Sequence, residues 1–384
     1  EHSTLCGSRK FPLKEPFVEL AKGSLNTFLN AITWPDKTMY PIASRNDKDF
    51  HNLMDVYLDA VFYPDCLKNP QILMQEGWHY ELDNVDAPLT YNGVVYNEMK
   101  GALSSPEAIM EDKAMEELFP DTTYGVESGG DPEVIPTLSF REFSEFHRRF
   151  YHPSNSYIYL YGDMDIDETL KFIDQEYLSH FDARNVYSAV KTQSPLPKRK
   201  IVEAPFGISE NESLEKKTIH ALYIALNDHI TTEESLAFKI LSYVLVDMDG
   251  APLKKAVLDA GIGNDVSSAY GDSDKQPVWT IEVTGSEIDK REKFISTVDL
   301  VLRNLALDGI DRNMLEAALN RTEFILREND FQGKPKGLLY GVRAMDLWLY
   351  DRDPMQALKY IDDIKELRNN LDKGYFENLL LKYV

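Results

Sequence analysis

At 384 residues the chain exceeds what one ordinary hydrophobic core serves, so two domains are expected. A net charge of −23 with 43% hydrophobic and 27% charged residues describes a globular protein and argues against nucleic acid as a partner, which needs a clustered basic surface. No apolar run approaches the ~18 residues of a membrane span, so no membrane partner is expected; the two cysteines, Cys6 and Cys66, are too few for a disulfide framework, fit a reducing compartment and read as small buried hydrophobes.

The chain opens Glu1-His2-Ser3-Thr4-Leu5-Cys6-Gly7-Ser8, which reads as the end of a helix stopped by Gly7. Pro16 starts a short amphipathic helix through Lys22, with Gly23 after it. Residues 27–33 and 38–43 read as two strands joined by a turn at Trp34-Pro35-Asp36-Lys37. Asn46 or Asp47 caps a helix in which Phe50, Leu53, Met54, Tyr57, Leu58, Val61 and Phe62 fall at helical spacing. Residues 78–82 form a strand candidate, 90–103 a helix that carries Glu98, and Pro106 opens an acidic helix to about Phe119. Ser139 caps a helix to Tyr151, alternating tyrosines at 157, 159 and 161 suggest a strand over 157–163, and 167–181 reads as a helix.

Residues 183–217 are polar and rich in Pro and Lys, and mark a boundary. Beyond it come a strand at 218–226, helices at 232–246 and 252–260, strands at 265–269 and 278–284, and long helices at 289–307, 311–327 and 335–350. The order helix, strand, turn, strand, long helix occurs in both halves, over 17–62 and again over 252–307, a faint repeat of element order. The expected fold class is α+β, with two repeated domains, each a mainly antiparallel sheet with helices packed on one face. The domains expected are 1–185, a boundary segment 186–217, and 218–384.

Glu1-His2 matches the last two positions of the inverted motif H-x-x-E-H. Together with Leu25-Asn26-Thr27-Phe28-Leu29-Asn30-Ala31-Ile32-Thr33, Gly93-Val94-Val95-Tyr96-Asn97-Glu98-Met99-Lys100-Gly101 and Tyr151-His152-Pro153-Ser154-Asn155, it resembles the pitrilysin/insulinase (M16) zinc peptidases, closest to their presequence-protease branch. The resemblance runs in order along nearly the whole chain. It implies a zinc site in which His2 is the second histidine ligand, Glu98 the third ligand and Glu1 the general base. Such chemistry is physically sound: catalytic zinc takes three protein ligands and leaves one position for water, whose proton a neighbouring carboxylate removes. The resemblance also implies that Asn30 and Ala31 border an edge where an extended peptide adds by main-chain hydrogen bonds. Leu5 and Phe17 resemble positions lining the pocket beyond the scissile bond, with core packing as the alternative for both.

Other features are assigned structural roles. His51, His79, His147, His152, His180, His220 and His229 lack metal spacing with one another, and Lys198-Arg199-Lys200 is too short for a nucleic-acid patch. The sequence departs from the family pattern where it begins: a first histidine three positions before Glu1 is not present, nor is a second half that would close over the peptide. The function implied is a zinc metalloendopeptidase of unfolded peptides, working in a chamber built with a C-terminal half. The chain by itself, with two zinc ligands of three, is expected to be inactive. The alternative is a non-catalytic scaffold or peptide-binding subunit of the same fold. A bacterial cytosol is the expected location, an organelle interior the alternative.

Overall fold

The computed structural model describes all residues except Glu15, His229, Asn329, Asp330, Gln332 and Val384, so the assignment made for His229 falls outside the described residues. The chain divides into two compact units, Glu1–Lys191 with Lys334–Leu339, and Thr192–Gly333 with Tyr340–Val384. Both mix helices with small antiparallel sheets.

In the first unit a single 3-10 turn, His2–Leu5, precedes α1 (Pro16–Gly23). The region read as two strands is four short ones: β1 (Asn26–Leu29), β2 (Ile32–Thr33), β3 (Thr38–Met39) and β4 (Ile42–Ser44), with β1 paired to β4 and β2 to β3. The ladder breaks for local reasons. Pro41 has no N–H to give, and the Asn30 side chain takes the Ala31 N–H at 2.9 Å.

The long helix α2 (Asp47–Phe62) follows, as the spacing predicts. Asn46 accepts from the Asp49 N–H at 3.0 Å, and Asp47 and Asp49 in the first turn suit the positive end of the helix dipole. Its inner face buries Leu53, Met54, Tyr57 and Ala60. Then come α3 (Pro70–Glu76), the hairpin β5 (His79–Glu81) and β6 (Thr90–Asn92), α4 (Val94–Ala102), α5 (Pro106–Leu118), α6 (Phe140–Phe150) and α7 (Ile166–Glu176). Two expectations are corrected. Residues 90–92 are a strand paired to β5, and the helix starts only after Gly93. Among the described residues no strand forms over 157–163: alternation at a period of two specifies a face, not a ladder.

The second unit is built on a three-stranded antiparallel sheet of β7 (Thr218–Ala225), β8 (Asp265–Gly271) and β9 (Val278–Ser286), in the order β7-β9-β8. In β9 every second residue, Trp279, Ile281 and Val283, is fully buried, the pattern of a strand with one face in a core. The helices are α8 (Thr232–Ser242), α9 (Pro252–Asp259), α10 (Arg291–Asp308), α11 (Arg312–Glu328), α12 (Lys336–Trp348), whose first four residues fall in the first unit, α13 (Ile361–Asn369) and α14 (Tyr375–Tyr383). A capping box of Thr231 and Glu234 starts α8, and the helix read over 232–246 ends in a wider π-turn, Tyr243–Asp247. In α10 the buried residues are Phe294, Val298, Leu302 and Ala306, one stripe at helical spacing laid on the core that holds the β9 face. Among the described residues no helix is long and apolar enough to cross a membrane.

Candidate metal centre

The opening turn is fixed from below. Ser3 and Thr4 are buried, and the Thr4 hydroxyl bonds the Glu1 carbonyl at 2.7 Å and the Tyr40 hydroxyl at 3.1 Å. Tyr40 in turn meets Tyr151, oxygen to oxygen, at 2.9 Å. Burial pushes the Tyr40 phenol well above its ordinary range, so it stays neutral and serves as a hydrogen-bonding post. Gly7 then turns the chain at φ +99°, where a Cβ would stand 2.8 Å from the Leu13 carbonyl oxygen; only glycine fits. The next residues are tied to α2. Asp59, fully buried, accepts from the Arg9 guanidinium at 2.8 and 3.2 Å and from the Lys10 N–H at 2.6 Å.

Two more carboxylates arrive from helices joined by the β5–β6 hairpin. Glu76 is the last residue of α3, whose chain turns away at Gly77; Glu98 stands in the second turn of α4. The start of α4 is pinned by Asn92, whose side-chain oxygen accepts from the Gly93 N–H at 2.8 Å and from the Asn97 amide at 2.6 Å.

These elements converge on His2. Its Nε2 lies 3.4 Å from Glu98 Oε2 and 3.7 Å from Glu1 Oε2, while its Nδ1 lies 3.5 Å from Glu76 Oε2. The carboxylate of Glu76 holds His2 above the ordinary imidazole range against the opposing effect of burial, and His2 holds Glu76 below the ordinary carboxylate range. Glu76 is 8% exposed, whereas the Glu98 side chain is 60% exposed, so the centre is open on the Glu98 side and closed behind His2.

The donor set suits a zinc ion. Two donors on one tetrahedral zinc, each about 2.0–2.1 Å from it, stand roughly 3.3 Å apart. The 3.4 Å between His2 Nε2 and Glu98 Oε2 matches that spacing. A carboxylate behind the other ring nitrogen is the usual outer partner of a metal-bound histidine. Among the described residues no three His, Cys, Asp or Glu side chains close around one point, so the fit is that of a pair of ligands with a carboxylate beside them.

The structure brings Glu1, His2 and Glu98 together around one ring, and beside them stands Glu76, which the sequence reading does not single out. No motif spacing marks that residue; only the fold carries it from the end of α3 to the back of His2. The other assigned residues are placed as follows. Asn30 and Ala31 fill the gap between β1 and β2; the Asn30 N–H is bonded to the Pro41 carbonyl at 3.2 Å and the Ala31 N–H to Asn30 Oδ1, so both donors already have partners within the chain. Leu5 closes the opening turn and Phe17 sits on α1, both half-buried. Several of the remaining histidines have partners elsewhere: His147 Nε2 at 3.1 Å from the Val61 carbonyl, His220 Nε2 at 3.0 Å from that of Glu287, and His152 Nδ1 accepting from the Ser154 N–H at 3.1 Å. Cys66 is fully buried, its thiol pushed up to about 12 by burial.

The family described as "Peptidase M16 inactive domain" matches residues 137–322, downstream of His2 and Glu98. Protein HypA of Clostridium perfringens is 50% identical over 384 residues, covering 100% of this chain and 40% of the relative. Presequence protease 1, chloroplastic/mitochondrial, of Arabidopsis thaliana is 42% identical over 396 residues, covering 100% of this chain and 36% of the relative. Among solved structures, the crystal structure of a protease from Helicobacter pylori superposes with a TM-score of 0.67 at 14% identity, over 100% of this chain and 84% of that one, a likeness of fold. Residues 137–322 thus match a peptidase M16 domain, and the curated relatives that align with the whole chain include a presequence protease. The chain spans about two fifths of the length of these two curated relatives.

Proposed function

We propose that the chain carries the metal-holding portion of a zinc metalloendopeptidase that cleaves extended, unstructured peptides. The observation that supports it is the 3.4 Å approach of His2 Nε2 to Glu98 Oε2, with Glu1 beside them and a carboxylate behind the ring. His2 and Glu98 would hold the ion. When bound, zinc supplies Lewis-acid polarisation of a carbonyl and lowers the pKa of water to about 7. Glu1, 3.7 Å from His2 Nε2, would take a proton from an attacking water and return it to the leaving amine. The open Glu98 side admits the peptide; Asn30 and Ala31 border its path, their N–H groups exchanging partners as it adds, and Leu5 and Phe17 shape its pocket.

The two units are proposed as copies of one α+β plan, with a boundary over 186–217, since α1, β1–β4 and α2 follow the same order as α9, β8, β9 and α10. Residues 1–384 offer two protein ligands where catalytic zinc takes three, so this polypeptide alone is expected to hold zinc weakly and to turn over no peptide. A C-terminal half of the kind the longer relatives have room for would complete the chamber. The relatives' names include a bacterial protein and a chloroplast/mitochondrial protease; a bacterial cytosol is the proposed location.

Zinc affinity of the 384-residue polypeptide, by chelator competition, tests the reading. His2→Ala and Glu98→Ala are each expected to weaken this binding further. Unchanged affinity in both would move the chain to a non-catalytic, peptide-binding or scaffold role.

A further inference from the structure

Glu76 is the buried charge at the centre that the reaction itself does not use. An ionised carboxylate is costly to bury unless it is paired and hydrogen-bonded. Its Oε1 accepts from the Gln75 side-chain amide at 2.9 Å, and its Oε2 faces His2 Nδ1 at 3.5 Å. That second contact decides more than the carboxylate's own comfort. A neutral imidazole carries its hydrogen on one nitrogen and its lone pair on the other, and the partner of one nitrogen sets which. With an anionic acceptor at Nδ1, the hydrogen sits on Nδ1 and the lone pair on Nε2. The opposite tautomer would set a lone pair against a carboxylate oxygen. Nε2 is the nitrogen that faces Glu98 and Glu1.

We propose that Glu76 is a positioning residue: it locks His2 in the Nδ1–H tautomer and aims the Nε2 lone pair at the point shared with Glu98. The placement supports this role over that of a further ligand. Glu76 reaches the ring from the nitrogen opposite Glu98, so the two carboxylates cannot grip one ion through His2 Nε2. The rigidity comes from α3, capped by Asn69, whose side chain accepts from the Gln71 N–H at 3.1 Å; the helix delivers Glu76 from its last turn. The proposal rests on the reading of His2 as a zinc ligand, and its test separates the two.

The 384-residue polypeptide, labelled with ¹⁵N-histidine and kept metal-free at pH 9, reports the His2 tautomer through its ring nitrogen shifts. Wild type is expected to show Nδ1–H. Glu76→Met, of similar length but with no acceptor, is expected to move His2 toward Nε2–H, and Glu76→Gln, whose amide oxygen can accept, to restore Nδ1–H. Zinc affinity, from chelator competition, should fall roughly 10- to 100-fold in Glu76→Met and less in Glu76→Gln. An unchanged tautomer in folded Glu76→Met overturns the inference whatever zinc does. If Glu76→Met does not fold, Glu76→Gln decides: wild-type zinc affinity with a mixed tautomer overturns it, and Nδ1–H with reduced affinity upholds it. If wild type binds no zinc, the reading of the ligand fails while the tautomer still tests Glu76.

Discussion

His2 Nε2 and Glu98 Oε2 stand 3.4 Å apart, one on the opening 3-10 turn and the other on α4. Each residue is placed by contacts that its sequence neighbours make. His2 is held by the buried Thr4–Tyr40–Tyr151 chain of hydroxyls and by the anchoring of Arg9 and Lys10 to Asp59. Glu98 is held by the point at which α4 begins. The separation of the pair thus depends on contacts some distance from either side chain, and those contacts can be changed without touching His2 or Glu98.

Gly93 is the sharpest of them. A Cβ there would lie 2.2 Å from the Gly77 carbonyl oxygen and 2.8 Å from the Trp78 Cα, both backbone atoms with no freedom to yield. Gly93→Ala must therefore push the start of α4 off the end of α3, and with it Glu98 away from His2. We expect a loss of about 1–3 kcal/mol in urea unfolding, with zinc affinity lowered at least as much as in a conservative change of Glu98. Wild-type zinc affinity in Gly93→Ala would show that the placement of Glu98 does not depend on this close approach.

How much of this was legible beforehand differs by element. The stripe of Leu53, Met54 and Tyr57 with Asn46 or Asp47 ahead of it specifies the helix α2, because helical period and cap agree; the structure selects Asn46 as the cap. Glu98 is singled out by a resemblance alone, since nothing in its own sequence surroundings separates a ligand from a solvated helix carboxylate. Residues 90–92 were read as helix because Val94 and Val95 extend the apolar pattern, while the pairing of Tyr91 with Tyr80 is a long-range fact that no local window contains. Tyr157, Tyr159 and Tyr161 show the converse: a period of two specifies a face and does not by itself make a strand. Glu76 was invisible for the same reason as the β5–β6 pairing, its meaning being set by a ring 74 positions earlier in the chain.

Asp59 joins the residues after the opening turn to α2. It is 0% exposed and accepts from the Arg9 guanidinium and from the Lys10 N–H, and Arg9 also lies 3.7 Å above the Tyr63 ring. Asp59→Ala removes the acceptor for all of these donors. A cost near the low end of the range for breaking a buried pair, about 3 kcal/mol, is expected because Arg9 is partly solvated. The double variant with Arg9→Met should recover part of that loss; if it is as unstable as the sum of the two single variants, the contacts are not coupled.

In the second unit the comparable post is Trp279, at 0% exposure, whose indole N–H reaches Ser242 Oγ at 2.8 Å and Ser268 Oγ at 3.0 Å. Trp279→Phe leaves a void and removes that donor, for an expected cost of roughly 2–4 kcal/mol. Ser268 still has the Thr280 carbonyl at 2.9 Å. Ser242 loses its indole partner within the core, so adding Ser242→Ala to Trp279→Phe is expected to restore about 1 kcal/mol. A further loss on adding Ser242→Ala would mean that the hydroxyl contributes through some other contact.

His147 supplies a pH dependence whose sign is fixed by its surroundings. It is buried on α6, its Nε2 faces the Val61 carbonyl, and its ring stacks on Tyr151 with centroids 4.3 Å apart. Burial lowers its pKa to about 4, below the ordinary 6.5, so the folded protein holds it neutral where the unfolded chain would already be protonated. Its contribution to stability is therefore complete above pH 6.5 and is lost as pH falls from 6.5 toward 4. Linkage sets the size: roughly 2 kcal/mol is gone by pH 5, as the unfolded chain binds nearly one proton more than the folded one. Other groups titrate in the same window, so the informative quantity is a difference. His147→Gln, which keeps an N–H donor and cannot protonate, should be less stable than wild type at pH 7.5 through loss of the ring stack, and should lose about 2 kcal/mol less than wild type on going to pH 5. Parallel pH profiles for the two proteins in urea unfolding would show that His147 protonates in the folded state as readily as in the unfolded one, and that its burial beneath Tyr151 is not maintained in solution.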